Sequence, residues 1–130
     1  MKETIDEILK LKTWAIVGLS TNQERPAFDV AALLQKKGHR IVPVHPKGES
    51  VHGEKGYKTL AEIPFAIDVV DVFVNSSLAG EVIDEAIAIS AKAVWLQLFV
   101  FDEPGIERAK SAGLLAVMNK CPSIEYAKRS

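Results

Sequence analysis

A shortage of cysteine is the first constraint on this 130-residue chain. Cys121 has no second thiol with which to form an internal disulfide. The three histidines stand at no spacing that would complete a zinc site with it, so no metal site is predicted. No stretch approaches the ~20 apolar residues of a membrane span, and we expect a cytoplasmic protein without a membrane partner.

Excess charge is missing as well. The formal net charge is -1, and 25% of the residues are charged. Nothing global therefore attracts nucleic acid or an anionic surface, and any anion site must be local. The length and the 48% hydrophobic content are ordinary for one globular core. We predict one domain over residues 1–130, with no separate catalytic domain.

Short apolar runs alternating with helical patterns are what the chain does contain. Residues 14–17 and 41–44 are β-rich, and between them a helical pattern opens at Pro26 and closes at Gly38. Proline suits a first helical turn, and glycine suits the left-handed residue that ends a helix. This β-α-β arrangement is typical of the first unit of a nucleotide-binding fold.

Four more strands are predicted, at residues 57–60, 69–74, 93–98 and 114–118, the first and last of them short. Strands that alternate with helices at this spacing favour a parallel sheet with right-handed crossovers. We predict a Rossmann-like, doubly wound α/β fold of five to six strands in the order 3-2-1-4-5, with helices on both faces.

Capping patterns predict where the other helices begin. A capping box formed by Thr4 and Glu7 predicts a short first helix, and Asp102 with Pro104 predicts one near the end. Ser77 and Ser123 are expected to cap two further helices. Asp71 lies inside an otherwise apolar strand, so we expect it to find partners by capping a neighbouring helix or the loop at Gly18.

In a sheet of this type, ligands bind beyond the carboxyl ends of the strands, where the strand order reverses. The first loop there contains Gly18 but lacks the later glycines of a dinucleotide fingerprint and the ending of a P-loop. Ser20, the free N–H groups of the next helix and Arg25 still predict an anion site. The alternative is a polar loop whose hydroxyls cap the helix and whose arginine is solvated.

The end of the second strand disfavours NAD. An NAD site needs an acid there to hold the ribose hydroxyls, whereas this strand ends Val-Pro-Val-His-Pro-Lys. Lys47 suits a ribose phosphate, and His45 suits an adenine. The alternative is a solvated lysine and a turn histidine.

Six motifs in this order resemble the small stand-alone CoA-binding proteins, a family similar in fold to the N-terminal domain of the succinyl-CoA synthetase α subunit. The resemblance covers the chain from Trp14 to about Tyr126. The motifs are Ala-Ile-Val-Gly-Leu-Ser (15–20), Arg-Pro (25–26), Ile-Val-Pro-Val-His-Pro (41–46), Asp-Val-Val-Asp-Val-Phe (68–73), Val-Trp-Leu-Gln-Leu (94–98) and Cys-Pro-Ser-Ile-Glu (121–125).

The resemblance implies coenzyme A as the cofactor and assigns its three parts to three groups of residues. The diphosphate is expected at Gly18, Ser20 and Arg25. The adenosine is expected beside Val44, His45, Pro46 and Lys47. The pantetheine arm is expected at Asn75, Ser76 and Gln97.

Three departures from the family pattern lead to a hypothesis about affinity. The family commonly has asparagine in place of His45, a basic residue near Asn75 or Ser76, and glycine in place of Phe99. A missing positive charge lowers the affinity for a ligand with several phosphates, and Phe99 is expected to narrow the pantetheine channel. The hypothesis is that CoA binds weakly or that the site prefers a smaller adenine nucleotide.

These observations favour a non-catalytic protein that binds CoA or acyl-CoA and acts as a sensor or carrier, with a homodimer or another protein as its partner. One alternative is a small nucleotide-dependent enzyme, either NAD-linked or transferring acyl groups through Cys121. That thiol has only Lys120 nearby to activate it, and a lone cysteine at a strand end is more often a buried packing residue. Another alternative is a scaffold whose site has decayed.

Overall fold

The computed structural model of the chain describes residues 2–130. Five parallel strands alternate with five α-helices and one 3-10 helix in these residues. None of these helices has the length and the apolar character needed to cross a membrane. In chain order the elements are α1 (Lys2–Leu9), β1 (Thr13–Val17), α2 (Pro26–Lys36), β2 (Arg40–Val44), the 3-10 helix (Leu60–Glu62), β3 (Val69–Val72), α3 (Ser76–Ala88), β4 (Ala93–Leu96), α4 (Glu103–Ser111), β5 (Leu115–Val117) and α5 (Pro122–Lys128).

The strand order is β2-β1-β3-β4-β5, which confirms the predicted α/β fold and the predicted order. The predicted third strand at residues 57–60 is reduced to one parallel bridge between Tyr57 and Val44, beside β2 as expected. Directly after it the chain turns into the 3-10 helix, which buries Leu60 in the core. The pairing with β2 therefore ends after a single residue.

Helices cover both faces of the sheet, so most strand residues are buried apolar residues. One face packs against α3 and α4. The other packs against α1, α2 and the start of α5, around the buried rings of Trp14 and Trp95, whose centroids are 5.6 Å apart. Each indole N–H donates to a backbone carbonyl at 2.9 Å, which satisfies the polar atom of a buried ring.

The predicted starts of three helices are each corrected by two residues. The first helix starts at Lys2 rather than at Thr4. The N-cap of α3 is Asn75 rather than Ser77, and the N-cap of α5 is Cys121 rather than Ser123. In α5 the first helical residue is Pro122. The fixed φ of proline suits the first position of a helix, so Pro122 marks the start of α5 better than Ser123 does. The start of α4 is as predicted, because the Asp102 carboxylate accepts from Gly105 N at 3.1 Å.

The prediction that Asp71 caps a helix or the first loop is wrong. Asp71 is fully buried in β3, and neither carboxylate oxygen has a hydrogen-bond partner among the described residues. Its register neighbours are Ile16 on β1 and Trp95 on β4. Burial raises the pKa of the Asp71 carboxyl well above its ordinary value, because an apolar interior disfavours the charged form.

Candidate functional site

A cleft of about 710 Å³ opens at the carboxyl edge of the sheet. Its walls are the segments that follow β1, β2, β3 and β4, together with residues 58–60 and one side of α3. The strand order reverses between β1 and β3, which is where ligands bind in doubly wound sheets. The volume lies within the roughly 300–1,000 Å³ that is usual for small-molecule sites.

The fold brings nine of the ten predicted site residues together in this cleft. The exception is Lys47, which is exposed and does not line it. Lys58 does line the cleft and was not predicted, although it follows Tyr57 in the segment predicted to pair with β2. The nine residues are Gly18, Ser20, Arg25, Val44, His45, Pro46, Asn75, Ser76 and Gln97.

Gly18 is required by the packing of the sheet itself. Its φ is +107°, and its N–H donates to the carbonyl of Val44 at 2.8 Å. A Cβ at this position would lie 2.6 Å from the carbonyl oxygen of Phe73, where β3 ends. The absence of a side chain at Gly18 therefore lets the backbone at the end of β3 pack closely against it.

The rest of the first loop is held by its own turns. The Ser20 hydroxyl accepts from Asn22 N at 3.2 Å, and the Asn22 side chain accepts from Glu24 N at 3.0 Å. No side chain caps α2, so the alternative in which the loop hydroxyls cap that helix does not hold. Arg25 occupies the N-cap position, is exposed, and forms no ion pair with any residue in 2–130. Arg25 and the first turn of α2 thus line the cleft together.

His45 is a turn histidine with one ring nitrogen left for a ligand. Its backbone N–H donates to Tyr57 O at 3.0 Å, and its Nδ1 accepts from Lys47 N at 3.1 Å. Because Nδ1 is an acceptor, the neutral ring carries its proton on Nε2. An asparagine side chain also accepts from an amide two residues on, so His45 makes the local hydrogen bond that an asparagine at this position would make.

The ends of β3 and β4 supply the remaining polar groups. Asn75 is exposed at the start of α3, and its side chain makes no capping hydrogen bond. The Ser76 hydroxyl accepts from Phe101 N at 2.9 Å, which joins α3 to the loop after β4. Gln97 is 6% exposed, and its Oε1 has no partner among residues 2–130. A buried acceptor of this kind ordinarily has a donor partner.

Phe99 stands at the rim of the cleft and is 79% exposed. The expected narrowing of the pantetheine channel by this ring stays a prediction. The φ of Phe99 is +67°, in the left-handed region that glycine adopts without strain. This conformation explains why a glycine suits the position.

Candidate nucleophiles and metal ligands lie elsewhere or do not cluster. Cys121 is buried at the start of α5 and does not line the cleft. Within residues 2–130, no group of three or more His, Cys, Asp and Glu side chains is placed to hold a metal ion.

The same residues can be compared with known proteins. The family model described as CoA binding domain matches residues 12–127. The chain belongs to the CoA-binding domain family. The match extends from just before β1 into the last turn of α5 and confirms the resemblance inferred from the six motifs.

Relatives of this CoA-binding domain are of two kinds. An uncharacterized protein of Bacillus subtilis, YneT, is 32% identical over 127 residues, which cover 97% of this chain and 94% of that protein. A hypothetical protein from Pyrococcus horikoshii is 39% identical, with a TM-score of 0.92 over 98% of this chain and 91% of that one. The α subunit of the ADP-forming acetate–CoA ligase II of Pyrococcus furiosus is 28% identical over 94 residues, and the match spans only 21% of its length.

Proposed function

We propose that the protein binds coenzyme A or an acyl-CoA in the cleft, performs no chemistry on it, and presents it to a partner as a sensor or carrier. The observation that carries this proposal is the convergence of nine residues on one cleft. Seven of them lie within four separate motifs, and the other two, Asn75 and Ser76, follow shortly after the motif at residues 68–73. Family membership supports CoA as the ligand. The ligase relative, which is named for a CoA reaction, contains a similar domain within a much longer chain.

The diphosphate would bind at the first loop. Arg25 is exposed and unpaired within the described chain, and the first turn of α2 lines the cleft beside it. A guanidinium next to a helix N-terminus suits a phosphate through charge-assisted hydrogen bonds and the helix dipole. Lys58 adds a second cation to the cleft, and we assign it the phosphate contact expected of Lys47.

The uncharged parts of the ligand would bind along the neighbouring strand ends. Val44, His45 and Pro46 offer an apolar edge and one ring N–H to an adenine. Gln97 Oε1 is a buried acceptor without a partner in the described chain, which suits an amide N–H of the pantetheine arm. The position of Cys121 outside the cleft favours binding over acyl transfer through that thiol.

Thermal unfolding with CoA, acetyl-CoA, NAD or ATP tests the proposal. A ligand that binds only the folded state at 100 times its Kd adds about 2.7 kcal/mol, which raises the midpoint by on the order of 10 °C for a chain of this size. We expect CoA and acetyl-CoA to give this shift and NAD to give none. A shift with NAD alone would contradict the proposal, and the absence of any shift would favour a decayed scaffold.

Arg25→Ala tests the phosphate site. Loss of a charge-assisted contact weakens binding by roughly tenfold to a hundredfold. At the same CoA concentration, the stabilisation then falls to about 0.4–1.4 kcal/mol. Lys36→Ala is the matched control, because Lys36 is an exposed cation in the last turn of α2 and does not line the cleft. An undiminished shift in Arg25→Ala would mean that the diphosphate binds elsewhere.

A further inference from the structure

Three large apolar side chains, Leu78, Phe99 and Phe101, are exposed where α3 begins and where the loop after β4 passes it. They are 48%, 79% and 49% exposed, and we call them the apolar rim. Leu78 and Phe99 line the cleft, and Phe101 is tied to the start of α3 through Ser76. Among residues 2–130 only Ile124 is a comparably exposed large hydrophobic side chain. The exposed apolar surface is thus concentrated at the mouth of the cleft.

Hydrogen bonds from three directions fix the backbone of the apolar rim. Val100 N donates to the carbonyl of Gln97 at 2.9 Å, which closes a turn. Phe99 N donates to the Asn119 side chain at 2.8 Å, and Phe101 N donates to the Ser76 hydroxyl at 2.9 Å. The two aromatic rings therefore stand on a backbone held by side chains from outside the loop.

Folding by itself does not account for an aromatic residue at position 99. A bulky side chain is disfavoured at a φ of +67°, and the ring gains little from burial because it is largely exposed. Backbone strain that persists at a binding cleft is a reason to look for a function. A ligand that covers the ring would compensate for the unfavourable conformation.

We propose that the apolar rim binds the acyl group of an acyl-CoA, so that the protein prefers an apolar acyl thioester to free CoA. This inference rests on the proposed function. Gln97, the residue assigned to the pantetheine arm, precedes Phe99 by two positions and lines the same cleft. A pantetheine arm held at Gln97 would bring the sulfur end of the ligand close to the rim, because both Gln97 and Phe99 line the cleft. The three rim side chains carry no charge, so they fit a hydrocarbon chain and not an acidic acyl group.

Calorimetric titration of the full chain with CoA, acetyl-CoA and octanoyl-CoA tests the inference. Each methylene buried against the rim tightens binding by about fourfold. We expect octanoyl-CoA to bind at least about tenfold more tightly than CoA, with acetyl-CoA close to CoA.

Phe99→Gly tests whether the rim is responsible. Glycine adopts the observed φ without strain, so this variant is expected to fold, and its thermal midpoint verifies that it does. We expect the ratio of the CoA and octanoyl-CoA dissociation constants to fall towards one. Ile124→Ser is the matched control, because Ile124 is 45% exposed on α5 and outside the cleft, and it should keep the wild-type ratio.

The outcomes separate the two proposals. Equal affinities for CoA and octanoyl-CoA, or an unchanged ratio in Phe99→Gly, would overturn the acyl assignment and leave CoA binding intact. If none of CoA, acetyl-CoA and octanoyl-CoA binds, both proposals are overturned.

Sedimentation of the ligand-free protein tests whether a second copy of the chain covers the rim instead. A dimer that Phe99→Gly dissociates would show that a second copy covers the rim, and it would overturn the acyl assignment.

Discussion

The buried carboxyl of Asp71 predicts an unusual dependence of stability on pH. The raised pKa means that the folded state keeps the proton at pH values where the unfolded chain has lost it. Stability from this group is therefore complete below 3.8, the ordinary pKa of an aspartate, and is lost as the pH rises towards the pKa of the folded state. The loss amounts to about 1.4 kcal/mol for each pH unit over which the two states differ by one proton.

Asp71→Asn isolates this contribution, because an amide of nearly the same shape cannot ionise. We expect the free energy of unfolding of the variant to exceed that of the wild type by an amount that grows with pH above about 4, at up to about 1.4 kcal/mol per unit. The difference then levels off once the folded state also ionises. Urea unfolding at a series of pH values measures it, with the fluorescence of the buried Trp95, a register neighbour of Asp71, as the probe.

Asp84→Asn is the control for an Asp-to-Asn change at the surface. Asp84 is exposed and pairs with Arg108 at 3.0 Å, and such surface changes alter stability by about 0.5 kcal/mol or less. If the free energies of unfolding of the wild type and Asp71→Asn differ by the same amount from pH 4 to pH 8, the reasoning is refuted. It would mean that the buried carboxyl ionises as readily in the folded protein as in the unfolded chain.

Two further predictions concern the packing of the sheet. Gly18→Ala should destabilise the protein by about 2–4 kcal/mol in urea unfolding, through backbone strain and overlap with the carbonyl of Phe73. Gly38→Ala, at a φ of +95° with no atom within 4 Å of the added Cβ, should show only the strain of about 1–2 kcal/mol, and equal losses at both positions would exclude the overlap. Burial lowers the pKa of His39 below its ordinary 6.5, so stability from this group is present above that value and is lost as the pH falls through the folded-state pKa. His39→Gln should remove that loss, and an unchanged acid limb of the stability profile would contradict the assignment.

The order of the strands and the position of the cleft could be predicted because they follow from local patterns. Residues 14–17 and 41–44 are too short and too apolar for surface helices, and a right-handed crossover between parallel strands leaves few topologies. The first residues of the helices were less predictable. Ser77 and Ser123 are residue types that favour N-cap positions, but the helices that follow β3 and β5 begin earlier, with Asn75 and Cys121 as their N-caps.

The candidate site was predictable where a residue stands at a strand end and unpredictable where contacts are distant in sequence. His45 and Gln97 directly follow strands, so the sheet carries them to the same edge. Lys58 reaches the cleft only because Tyr57 pairs with Val44, and a single bridge leaves no periodic pattern. Lys47 lies in the hydrogen-bonded turn that begins at His45 and does not line the cleft, and the spacing of residues along the chain does not show this.

The sequence by itself determined the class of fold, the family and the chemical character of the loops, because hydrophobic periodicity, glycine and proline positions and ordered motifs are local properties of the chain. The tertiary structure alone decided which polar groups are buried without a partner and what surrounds each of them. Asp71 and Gln97 are both polar residues in or just after buried strands, yet one lies sealed among apolar side chains and the other lines the cleft. Only packing distinguishes them, because burial and hydrogen bonding depend on residues that lie far apart along the chain.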